Sequence, residues 1–223
     1  DTNNVYETSV DANDLYNYLG IAGGDTSSLI SSVMVQKQDA GKGVKVKIIT
    51  EDNITKITSN QYANAAITAG VSDIEIDVAS VSKVTGESAL TGVYKALEAN
   101  GETLDLDRTQ VAQDELETTN EIAENNADNS NFDSGRLDQA MVEIKQELAE
   151  IKKNQGSAAT AEQVEQVVTD ALKKFNLSDI ISQDDIDKLI AFAKKYQNTS
   201  AIDSQEVLEQ LNKLSGNLKN QLS

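Results

Sequence analysis

Apolar and polar positions follow two different periods along this chain. Over the first hundred residues, short alternating runs are interleaved with helical stripes. In 71–101 (VSDIEIDVASVSKVTGESALTGVYKALEANG), Ile74, Ile76 and Val78 alternate with Asp73, Glu75 and Asp77. A period of two predicts a strand with one apolar and one acidic face. Thr85 and Gly86 break that pattern. Ala89, Leu90, Val93, Tyr94 and Leu97 then recur along one helical stripe, and Gly101 supplies a left-handed stop. Upstream, Asp11 can cap a short helix carrying Leu15, Tyr18 and Leu19 and ending at Gly20, followed by a loop at Gly23, Gly24 and Asp25. Residues 29–36 (LISSVMVQ) and 44–50 (VKVKIIT) read as two strands joined by a Gly-bearing hairpin turn at 39–43. Lys45 and Lys47 are spaced to face Asp73, Glu75 and Asp77 on a neighbouring strand. Residues 54–57 are expected to extend the sheet. Thr58 and Gln61 form a capping-box pattern for a helix whose Tyr62, Ala65, Ala66 and Ala69 make a small-residue face, ending at Gly70.

Beyond Gly101 only the helical period remains. Val111, Leu116, Ile122 and Ala123 mark a weakly amphipathic helix, and residues 125–133 (NNADNSNFD) a polar loop. Leu137, Met141, Ile144, Leu148 and Ile151 are spaced 4,3,4,3, an a/d seam that Gly156 ends. Thr160 with Gln163, and then Ser182, open two further helices, and Val207, Leu211, Leu214, Leu218 and Leu222 form a second seam. The expected fold class is α+β: a small mixed or antiparallel sheet with packed helices over 1–103, then an all-helical region over 104–223. The two seams are each about two heptads long. They fit an internal bundle, with a homo-oligomer through the C-terminal helices as the other outcome.

Charge narrows the partners. Nineteen basic against thirty-seven acidic residues give a formal charge of -18, and residues 102–133 contribute -9 of it. Such a field repels phosphate backbones and anionic lipid, so no nucleic acid is expected. No apolar run reaches the length of a membrane span. The sequence has no His and no Cys, which excludes His-dependent nucleophile arrangements, the usual zinc sites and disulfides. Neither a cofactor nor a metal is expected. Asp128, Asn131 and Asp133 miss the spacing and the glycine of a calcium loop. A chain that opens at Asp1 without a Met is expected to be a processed or trimmed product whose leader is already gone.

Three stretches, VYETSVDANDLYNYL, ITSNQYANAAITAGVSDIEIDVAS and above all VTGESALTGVYKALEANG, resemble the YpuA-like proteins of Bacillus and related Firmicutes, a domain family of unknown function. The resemblance covers at least 1–101 and is weaker over the acidic helical tail. It implies export, secreted or associated with the cell envelope, and transfers no catalytic residue. Thr85-Gly86-Glu87 is its most distinctive motif.

Two functional readings follow. The first is a non-enzymatic envelope module that contacts a protein or a wall component. Its candidate binding residues are Thr85, Gly86 and Glu87, at a strand-to-helix turn that could cradle an anion, although the same three residues suit a plain helix cap. The alternative is a carboxylate-dependent hydrolase of wall glycans, with Asp77 of the strand and Glu87 of the turn as the carboxylates to test. That chemistry asks for two carboxyls across a cleft and aromatic sugar platforms, and this chain has no Trp and three Phe.

Overall fold

The computed structural model describes residues 7–20, 31–54, 56–84, 86 and 88–221. The loop expected at Gly23–Asp25, residues Leu29 and Ile30, and Leu222 lie outside them. The order of elements is α1 (Ala12–Leu19), β1 (Ser31–Lys37), β2 (Val44–Ile48), α2 (Ser59–Ala69), β3 (Ile74–Ser80), α3 (Ala89–Ala99), α4 (Leu106–Asn125), α5 (Ser134–Gln155), α6 (Ala161–Lys174), α7 (Gln183–Tyr196) and α8 (Gln205–Gln221). A single 3-10 turn at Ser200–Asp203 joins the last two. The chain is thus α+β with a mixed three-stranded sheet and a helical C-terminal region.

β1 and β2 do not form the hairpin that their spacing suggested. β3 inserts between them, antiparallel to β1 and parallel to β2, in the order β1-β3-β2. The reason lies in the connection at 38–43, which arches over the start of β3. Gln38 N donates to Asp73 O at 2.8 Å, and Gly43 N donates to the Asp73 carboxylate at 2.7 Å. Asp73 itself takes a left-handed backbone with φ 46, so it leaves the acidic ladder and serves as a clasp. The expected extension at 54–57 reduces to one isolated parallel bridge, Ile54 to Val84.

The register lines up three apolar residues per row on the inner face. Val33–Val78–Ile48 and Val35–Ile76–Val46 cross the sheet, with Ile74–Val44 below them. α3 packs behind β1 and α2 behind β2. Contact between α3 and the sheet is close: a Cβ on Gly92 would come within 2.8 Å of Val33 Cγ2. α2 is buried from Gln61 to Ala69, all the way round, because α4, α5 and α8 cover the side away from the sheet. The caps expected at Asp11, Thr58 and Thr160 all form, each as a capping box. α3 does not begin at Thr85. It starts at Ala89, and Ser88 at its N-cap makes no side-chain bond to the helix amides.

Both seams turn inward. Leu137, Met141, Ile144 and Leu148 of α5, and Val207, Leu211, Leu214 and Leu218 of α8, are all buried. One apolar cluster runs without a break from the sheet through α2 to α8.

Candidate functional site

The outer face of the sheet is built by the same register as the inner one. Met34–Asp77–Lys47 and Gln36–Glu75–Lys45 form two rows across it, and Ser32 sits beside Ala79 in a third. Ile49, held by its amide to Val78 O at 2.8 Å, continues β2 past its last paired residue. Lys47 reaches diagonally to Glu75, and that bond holds the Glu75 carboxyl below its usual range. The expected lysine-to-carboxylate ladder is therefore present at Glu75 and Asp77 but not at Asp73. Met34 and Ile49 remain 57% and 59% exposed among these charges.

Of the turn residues, Thr85 and Glu87 lie outside the described residues. Gly86 is buried, with φ 95, and its carbonyl accepts from Tyr62 Oη at 2.5 Å. A Cβ there would also meet Ile54 Cγ2 at 2.9 Å, so the glycine lets the turn close onto α2.

A second gathering of polar groups is buried, and the residue pattern gave little warning of it. Asn64 and Thr68 on α2, Glu115 on α4, and Asp138 and Lys145 on α5 are each at most 2% exposed. Lys145 Nζ donates to Glu115 Oε1 at 2.8 Å, to Thr68 Oγ1 at 3.2 Å, to the Asn64 backbone carbonyl at 3.2 Å and to Asn64 Oδ1. Thr68 Oγ1 in turn donates to Glu115 Oε2, and Asn64 Nδ2 donates to the backbone carbonyl of Asp138 at 3.2 Å. The ring of Tyr196 lies 6.0 Å from the ammonium. Burial pushes the Lys145 amine down from its ordinary value, against the opposing pull of Glu115. Burial, and then the Glu115 charge, push the Asp138 carboxyl up to about 8. The signal available in sequence was position within the heptad. Asp138 and Lys145 each follow a seam residue, Leu137 and Ile144, and stand seven apart on one face. A lone lysine beside a seam ordinarily snorkels to water, and here α2 closes that exit.

Among the described residues, no group of three or more His, Cys, Asp or Glu is disposed to hold a metal, and no helix is long and apolar enough to cross a membrane. Comparison with known proteins adds a family. The sequence model of the protein family of unknown function DUF1002 matches residues 1–214. The chain belongs to the DUF1002 family. This DUF1002 chain is also 34% identical, over 184 residues, to an uncharacterized protein, YpuA, of Bacillus subtilis (strain 168). The match takes in 82% of this chain and 57% of that relative, so the chain spans little more than half the relative's length. No solved structure matches it.

Proposed function

We propose that this DUF1002 chain is an exported, non-enzymatic module of the cell envelope that works by docking a protein partner on the outer face of its sheet. The observation that carries the reading is the pairing of exposed Met34 and Ile49 with the charged rows of Lys45, Lys47, Glu75 and Asp77. Met34 on one outer strand and Ile49 at the end of the other flank the charges of the middle strand, and apolar side chains set among opposite charges suit a protein contact. Its three strands are held rigid from behind by α2 and α3, so docking would cost little ordering. Placement at the envelope rests on the family resemblance.

The test is a photoreactive amino acid at position 34 in the native host, with position 153, an exposed site on α5, as the comparison. One defined protein adduct at 34, absent at 153 and lost on Lys47→Glu, is expected. Equal labelling at both positions would sink the docking face. Fractionation of the same cells tests placement, and recovery in the cytosol alone would sink the export.

A further inference from the structure

We propose that Lys145 and Asn64 become covalently joined, Nζ to Cγ, by an intramolecular isopeptide bond whose proton transfers are carried by Glu115. This goes beyond the docking reading and does not depend on it. Three requirements for amide exchange between an amine and a carboxamide meet in the buried cluster.

The first is a nucleophile in place. Lys145 Nζ touches Asn64 Oδ1, so the amide carbon is one bond from an atom it already contacts. Being held in that way removes most of the entropic barrier to attack. The second is a proton carrier. Glu115 Oε1 accepts from Nζ at 2.8 Å, within reach for direct transfer, and its other oxygen is fixed by Thr68 Oγ1. The third is burial. Lys145, Asn64, Thr68 and Glu115 are 0%, 2%, 0% and 1% exposed, under the Tyr196 ring. Desolvation there favours the neutral amine, the form that attacks. The leaving nitrogen, Asn64 Nδ2, is turned away from the amine toward the Asp138 carbonyl.

The step balances without an oxidant or a co-reactant. The Lys145 ammonium gives one proton to the Glu115 carboxylate, and the neutral amine adds to Asn64 Cγ. Addition makes Nζ and Nδ2 neighbours on the same tetrahedral carbon. The carboxyl that already contacts Nζ can therefore take a second proton from it and pass its first to Nδ2, which leaves its bond to the Asp138 carbonyl as the Cγ–Nδ2 bond breaks. The products are a secondary amide, one ammonia and a protonated Glu115. Five protons on the two nitrogens become one on the amide, three on ammonia and one on the carboxyl. No buried ion pair remains. A paired charge in a dry interior recovers its desolvation cost only in part, so discharging Lys145 and Glu115 together drives the exchange forward. The bond ties α2 to α5 across 81 positions of sequence.

The experiment is intact mass and tryptic mapping of the purified wild-type chain, denatured just before measurement. The expected mass is short of the sequence by one ammonia, with a branched peptide containing Lys145 and Asn64. Glu115→Gln and Lys145→Met are expected to show the full mass. A wild-type chain at full mass after prolonged incubation overturns the bond, whatever the variants do. So does an ammonia loss without the branched peptide, because Asn100 followed by Gly101 can shed ammonia by closing on its own backbone. Glu115→Gln that still forms the branch overturns the role of Glu115.

Discussion

At the scale of single residues, environment rather than residue type decides behaviour. Asp73, Glu75 and Asp77 read alike in sequence, as one acidic face. In the fold Asp73 accepts from the Gly43 amide and from Gln210 Nε2, Glu75 pairs with Lys47, and Asp77 lies in a row between Met34 and Lys47. The backbone bond from Gly43 is the first cause holding the Asp73 carboxyl below its ordinary value. Asp138 shows the opposite case, raised from 3.8 to about 8 by burial first and by Glu115 next. Its folded form keeps a proton that the unfolded chain releases near pH 4. The stability Asp138 contributes is therefore complete below that value and is lost as pH climbs toward 8, at up to about 1.4 kcal/mol per unit. Asp138→Asn cannot ionise. Urea unfolding at pH 5 and pH 8 is expected to show the variant gaining on wild type at the higher pH. A constant difference between the two chains at both values would contradict this account.

At the scale of elements, α2 is the piece on which the others converge. Its capping box was readable from Thr58 and Gln61, and its stop from Gly70. The small-residue face was readable too, but it is only half of the burial. Gln61, Asn64 and Thr68 are as buried as the alanines; Gln61 closes its own cap on Thr58, whereas the partners of Asn64 and Thr68 arrive from α4 and α5. No local pattern announces that. The C-terminus of α2 is finished from another element as well: Arg108 of α4 donates from Nε to Thr68 O at 2.9 Å and from Nη2 to Ile67 O at 3.4 Å. A cation there also opposes the negative end of the helix dipole. Arg108→Leu is expected to cost about 1–3 kcal/mol, read as a lower urea midpoint at unchanged slope, since it strands the Thr68 carbonyl and leaves Ile67 O with the Gly70 amide alone. A midpoint equal to wild type would mean that solvent replaces the guanidinium without loss.

At the scale of the whole molecule, the unbroken apolar cluster from sheet to α8 predicts one cooperative unit. Five of the six tyrosines precede residue 100, whereas most of the helix follows it. Near-ultraviolet circular dichroism therefore reports mainly the sheet part, and far-ultraviolet the helices. The two unfolding curves are expected to coincide. Helical signal surviving past the tyrosine transition would instead make 104–223 an independent unit. The DUF1002 match across residues 1–214 spans both regions. Sequence alone indicated the three strands, the helices and most of their caps, because periodicity and capping act within a few residues, though not the start of α3 at Ala89. It also showed the two seams and the lysine rows, which repeat along one element, but left open whether the seams turn inward or meet a second copy. Only the tertiary structure decided that β3 splits β1 from β2, since strand order depends on where Asp73 clasps a loop thirty residues away. It alone brought Asn64, Glu115 and Lys145 to one point. Each of them is an ordinary polar residue on its own helix, and the chemistry exists only where three helices close around it.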